Sequence, residues 1–132
     1  MIVTIDVSGV AQILFKKEKV NKFKDVIDRA DLVIAPDLFI PELTNTLWKY
    51  HKAKIFGEDE CIHYIEDGIN LIDSFIDSNN FWKEAFGEGI KNNHPIYDMY
   101  YAVIARRNNG ILITNDNDLS KICKKLSIQY IY

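Results

Sequence analysis

The sequence is poor in the residues that would make it a disulfide scaffold, a thiolate metal site or a membrane span. Its 132 residues include two cysteines, three prolines and six glycines. Cys61 and Cys123 stand far apart and neither belongs to a C-x-x-C pair. That argues against a zinc ribbon and a disulfide framework, and leaves reduced thiols packed as small hydrophobes. His51, His63 and His94 show neither HxxxH nor HExxH spacing, so a zinc site is not supported. No uncharged apolar run reaches the roughly 18 residues of a membrane-spanning helix. The opening MIVTIDVSGV lacks a basic leader and carries Asp6 inside its apolar run, which argues against a signal peptide. With no repeats, low-complexity tracts or linker, the expectation is a single cytoplasmic domain over residues 1–132, with no membrane partner.

Positive charge is also scarce. Sixteen Lys and Arg stand against nineteen Asp and Glu, a net charge of −3. The balance is uneven: residues 1–54 carry nine basic and seven acidic side chains, residues 55–80 seven acids and no Lys or Arg, and residues 81–132 seven basic and five acidic. A polyanion could approach one side of such a molecule, but composition alone does not require it.

What the chain does have is β-branched runs alternating with amphipathic segments. IVTI (2–5), LVIA (32–35) and ILIT (111–114) read as buried strands, and IQYIY closes the chain as another. NLIDSF reads equally as a helix end or a short strand. SGVAQILFKK, EKVNKFKDVIDRA and DLFIPELTNTLWKYHKAKI read as helices, the last with Pro41 in its first turn and Leu43, Leu47 and Trp48 inward. EDECIHYIEDGINLI, FWKEAFGEGI and PIYDMYYAVIARRNN follow, the last ended by Asn-Asn-Gly. NDNDLSKICKKL has an acidic start and a basic end that suit its dipole. Strands alternating with helices predict an α/β fold whose central, mainly parallel sheet is covered on both faces.

In such sheets ligands bind beyond the carboxyl ends of the strands. Asp6 follows IVTI directly, Asp116 stands two residues after ILIT, and Glu42 lies in the first turns of the helix after LVIA. Asp98 lies early in the helix that feeds strand 111–114, and spacing leaves open at which edge of the sheet that helix starts. Asp6 and Asp116 also suit helix caps, and Glu42 an ordinary first-turn acid. Asp98 is harder to place. In PIYDMYYAVIA every other residue is apolar or aromatic, and Tyr101, Ala102 and Ala105 share its helix face with no cation in reach. An ionised carboxylate there needs compensation. Carboxylates crowded into one site repel unless a divalent ion sits between them, and oxygen-only donors suit Mg²⁺ or Mn²⁺. Such an ion beside carboxylates is the apparatus of phosphodiester hydrolysis.

TIDVSGV after an N-terminal strand, PELTNTLWK with Glu and then Asn three residues on, and YDMYYAVIARRNNGILITND resemble the PIN domain, and within it the small VapC-type toxin ribonucleases. The resemblance covers nearly the whole chain. It implies a three-layer α/β/α fold and a Mg²⁺-dependent (or Mn²⁺-dependent) endoribonuclease with Asp6, Glu42, Asp98 and Asp116 as its acidic, metal-binding set. Ser8 and Thr114 match hydroxyl positions that orient a carboxylate or a water, and Asn45 matches a supporting position behind Glu42. Asp118 reads as a helix-start residue, with Asp116 taking the motif position.

An RNA substrate needs a cationic approach. Lys49 and Lys52, with His51 and Lys54, end the Glu42 helix, and Arg106 and Arg107 end the Asp98 helix. These are candidate RNA contacts, although they equally complement helix C-termini. Lys16, Lys17, Lys19, Lys22 and Lys24 read as a solvated face. Tyr97, Tyr100 and Tyr101 suit base stacking or the core. The resemblance further implies a homodimer and a small cognate antitoxin that blocks the acidic site, with Phe39, Trp48, Phe81 and Trp82 as candidates for exposed apolar surface. The alternatives are a catalytically inactive PIN-like module that binds RNA or protein, and a stand-alone RNA-processing nuclease.

Overall fold

The computed structural model describes residues 1–132. In chain order the elements are β1 (Ile2–Ile5), α1 (Val7–Leu14), α2 (Val20–Asp28), β2 (Leu32–Pro36), α3 (Phe39–Lys52), α4 (Glu58–Asn70), β3 (Ser74–Ile76), α5 (Trp82–Asn92), α6 (Ile96–Arg107), β4 (Ile111–Ile113), α7 (Asn117–Lys125) and β5 (Gln129–Ile131), with one 3₁₀ turn at Ser78–Asn80. The five strands form one sheet in the order β3-β2-β1-β4-β5, and every pairing is parallel. The expected mainly parallel sheet is thus wholly parallel, and all five carboxyl ends lie along one edge. The NLIDSF ambiguity resolves as an edge strand, β3, whose three residues are only half-buried. That weak burial is why it lacks the apolar signature of β1, β2 and β4.

The helices divide into two sets. α1 packs on α2, α3 and α4, and α3 on α4; α6 packs on α5 and α7 and lies across β1, β2 and β4. The result is a three-layer α/β/α sandwich around one continuous core. α6 is apolar on nearly every side because it is enclosed, with Met99 and the run Tyr101–Ala105 all buried. Its exit to β4 passes so close to β1 that a Cβ on Gly110 would meet the Ile2 carbonyl oxygen at 2.7 Å. Only glycine fits there.

The inward side of α3 is Phe39, Leu43 and Leu47, all buried, whereas Trp48 is 55% exposed, one step off that stripe. Of the four candidates for exposed apolar surface, Trp48 and Trp82 are exposed, and Phe39 and Phe81 belong to the core. Both cysteines are buried and free. No helix is long and apolar enough to cross a membrane.

Candidate active site

Asp6 caps α1 and is almost fully buried. Its Oδ1 accepts from the Gly9 amide and from the Ser8 hydroxyl, each at 2.7 Å, and its Oδ2 accepts from the Thr114 hydroxyl. Ser8 and Thr114 lie 3.2 Å apart, but each hydroxyl has one hydrogen, and both hydrogens go to Asp6. In turn the Asn115 amide donates to Ser8 at 2.8 Å and the Asp116 amide to Thr114 at 3.0 Å. The loop after β4 is therefore laced to the loop after β1. Burial dominates the carboxyl of Asp6 and pushes its pKa up to about 6, against its hydrogen bonds and with the help of the Asp98 charge.

Asp116 caps α7: its Oδ1 accepts from the amides of Asp118 and Leu119, at 2.8 and 3.3 Å. The capping roles of Asp6 and Asp116 and their convergence at one edge are therefore compatible. Glu42 accepts at Oε1 from the Tyr101 hydroxyl at 2.6 Å, and burial and the neighbouring Asp98 charge raise its pKa. Asp98 is raised likewise by burial and by the charges of Asp116 and Asp118. The packing answers the question the spacing left open: α6 exits beside Ile2, at the start of β1, and lies across β1, β2 and β4, so it starts at the edge bearing Asp6 and Asp116. Asp118 itself is exposed and lends its amide to the α7 cap.

Two partners are absent from the sequence reading. His94 Nε2 donates to Asp98 Oδ2 at 2.7 Å, a hydrogen-bond partner just ahead of the helix that Asp98 was not expected to have. The i, i+4 spacing was the available signal, but Pro95 places His94 outside the helix, and a search for paired metal-ligand histidines passes over it. Tyr101 is buried against Glu42, which removes it from the candidates for base stacking; of the other two, Tyr97 is exposed and Tyr100 packs edge-on against Phe81.

Other expected site residues lie outside this cluster. Asn45 is exposed and its side chain forms no hydrogen bond. Lys49 and Lys52 are exposed roughly 10–15 Å along α3 from Glu42, given about 1.5 Å per residue. Arg106 and Arg107 end α6, where Arg106 pairs with Glu84 and Glu88 at 2.6 and 3.1 Å and Arg107 with Glu84 at 2.6 Å. They fasten α6 to α5.

The Asp98 charge thus bears on Asp6 and on Glu42, and the Asp116 charge on Asp98, and none of the four carboxylates pairs with a Lys or Arg. No three His, Cys, Asp or Glu side chains stand close enough together to enclose an ion by themselves. The donors are all carboxylate oxygens, the chemistry that a hard divalent cation takes. Asp98 Oδ1, Glu42 Oε2 and Asp116 Oδ2 accept no hydrogen bond from the protein.

The chain is similar to Ribonuclease VapC3 of Pyrobaculum aerophilum, 24% identical over 123 residues, which span 92% of this chain and 94% of the relative. Its fold is similar to the crystal structure of PAE2754 from the same organism, with a TM-score of 0.70 and 18% identity over 91% of this chain and 83% of the other. It is also similar to VapBC2 from Rickettsia felis bound to a DNA fragment from its promoter, with a TM-score of 0.68 and 14% identity over 99% and 98% of the two chains. The family profile of the PIN domain matches residues 3–125, a span that holds all four acids and the hydroxyls that grip Asp6. The chain belongs to the PIN domain family.

Proposed function

We propose that this protein is a metal-dependent endoribonuclease of the VapC kind, acting as the toxin of a type II toxin–antitoxin pair. The observation that carries the reading is that the charges of Asp6, Glu42, Asp98 and Asp116 bear on one another through Asp98, with no Lys or Arg paired to any of them. The similarity to Ribonuclease VapC3 and to the VapBC2 complex supports RNA as substrate and an antitoxin as partner. Asp6, Asp98 and Asp116, with Glu42, would hold Mg²⁺ or Mn²⁺. When bound, such an ion neutralises the carboxylates, polarises a phosphoryl oxygen and eases ionisation of a water near neutral pH.

The chain's own residues set the remaining chemistry. Ser8, Gly9 and Thr114 fix Asp6 so that its carboxylate cannot turn. Tyr101 and His94 each anchor one oxygen, of Glu42 and of Asp98, and leave the other free. A carboxylate with a raised pKa and a free oxygen is suited to take a proton from an attacking water. Asp98 and Glu42 have both attributes.

Exposed apolar surface supports the partners. Trp82, Phe86 and Ile90 line one side of α5, and Trp48 and Ile62 flank a hollow of about 440 Å³ between α3 and α4. A second copy of the chain and an antitoxin segment would cover such surface; a pull-down from the native host that recovers no small partner would count against the toxin reading.

The test is incubation of purified protein with total RNA and Mg²⁺, beside an EDTA control and an identically purified Asp98→Asn variant. Discrete fragments that vanish in both controls are expected. The loose spacing of the acids favours one second reading, a PIN-like module that binds RNA without cutting it. RNA bound but uncut at every Mg²⁺ and Mn²⁺ concentration would establish that reading instead.

A further inference from the structure

We infer that the Lys16–Lys19 loop forms a phosphate-binding subsite for single-stranded RNA beside the acidic cluster, an inference that rests on the ribonuclease reading. Gln12, Lys16, Lys17, Glu18, Lys19 and Asn115 line a polar, solvent-open hollow of about 590 Å³. Three cations and one acid give it a net positive charge. Asn115 is its link to the acids: it lies between Thr114 and Asp116, and its amide donates to the Ser8 hydroxyl that grips Asp6.

The hollow also lies at the right edge of the sheet. Lys19 Nζ sits 3.5 Å from the ring centroid of Tyr132, and Lys22 Nζ donates to the Tyr132 carbonyl at 2.6 Å. Tyr132 directly follows β5 in a sheet whose strands all run parallel, so it marks the same carboxyl edge as Asp6 and Asp116.

The loop is shaped rather than slack. Phe15 anchors it among Tyr50, Phe56 and Tyr64, with ring centroids 4.9, 5.5 and 5.1 Å away. Lys16 takes the left-handed backbone, at φ 50°. The Lys17 amide donates to the Gln12 carbonyl at 2.9 Å, and the Lys19 amide to the buried Gln12 side chain at 3.1 Å. None of the three lysines joins an ion pair, whereas Arg106 and Arg107 are both paired. Four clustered acids repel a polyanion at long range. An unpaired cationic hollow beside them offers the flanking phosphates a counterweight while the scissile one enters the cluster.

The test measures binding of a fluorescein-labelled single-stranded RNA in EDTA by anisotropy, over a range of salt. The proteins are the wild type, a Lys16→Gln/Lys17→Gln/Lys19→Gln triple variant and a Lys124→Gln/Lys125→Gln control. The control pair ends α7, which leads to the opposite edge of the sheet. The triple variant is expected to bind about tenfold or more weakly, with a log–log salt slope shallower by about 2, and the control to bind like the wild type. Equal loss in both variants would overturn the inference, as would no loss in either. Wild-type cleavage with unchanged binding in the triple variant would overturn the subsite and leave the nuclease reading standing. Binding that depends on the three lysines, in a protein that cuts no RNA, would uphold the subsite and sink the nuclease reading.

Discussion

Asp6 is held in a way that costs stability. Its three donors fix its direction, yet burial still lifts its pKa from 3.8 to about 6. Folding therefore binds a proton at Asp6 more tightly than the unfolded chain does. The associated stability is present below about pH 4 and lost as pH rises through 6, amounting to roughly 3 kcal/mol at most. Asp6→Asn removes the charge and keeps the acceptor for Gly9. In EDTA, thermal melts should show the variant drawing ahead of the wild type between pH 4 and 6 and holding that lead above; a pH-independent gap would mean the charge is not the cause. Tyr101→Phe and His94→Ala should each lower kcat about tenfold while leaving KM and the circular-dichroism melt nearly unchanged, since each removes a donor from one carboxylate. A melt that falls with activity would assign them to the fold alone. Legibility follows the distance between partners. The capping sites at Asp6 and Asp116 are local and can be read from sequence. The pairing of Tyr101 with Glu42 spans 59 positions and exists only once α6 lies over the sheet.

At the scale of elements, the strands that enter the core announce themselves by β-branched runs, and α6 by its apolar surround. β3 does not, because an edge strand of three half-buried residues has little to bury. Trp48 escapes for a related reason: helical periodicity assigns a stripe, and one step along the chain turns a side chain by about 100° off it. β1 also carries an imperfection. The Thr4 hydroxyl is buried with no hydrogen-bond partner. Thr4→Val keeps the shape and should raise stability by about 1 kcal/mol, a gain of about 3 °C read by calorimetry; a loss would reveal a partner for that hydroxyl. The α5–α6 pair is fastened by Arg106, Arg107, Glu84 and Glu88, which are all partly exposed. Arg106→Gln should therefore destabilise by about 1 kcal/mol or less, and by less again in 0.5 M salt, when melts are compared at two ionic strengths. A larger, salt-independent loss would mean the guanidinium acts by packing rather than charge.

For the whole molecule, the proposed cation site would couple cation binding to proton release, because the carboxyls of Asp6, Glu42 and Asp98 are all raised. Mg²⁺ should raise the melting temperature, by a stabilisation of about 2.7 kcal/mol at roughly a hundred times its dissociation constant. The rise should be larger at pH 7.5 than at pH 5.5, where protons compete for the same oxygens. An equal rise at both would place the ion elsewhere. The order of the sheet bears on when such a site exists at all. β1 precedes the other four strands in the chain yet lies at the centre of the sheet, and β4, its neighbour on one side, begins only at Ile111. The Thr114 hydroxyl that holds Asp6 comes from 108 positions downstream. A nascent chain exposed only as far as α6 has Asp6, Glu42 and Asp98 but neither β4 nor the loop after it that holds Asp6. On the proposed reading a chain that has not yet added β4 and its following loop would be inert, and an antitoxin would have nothing to restrain until they join β1.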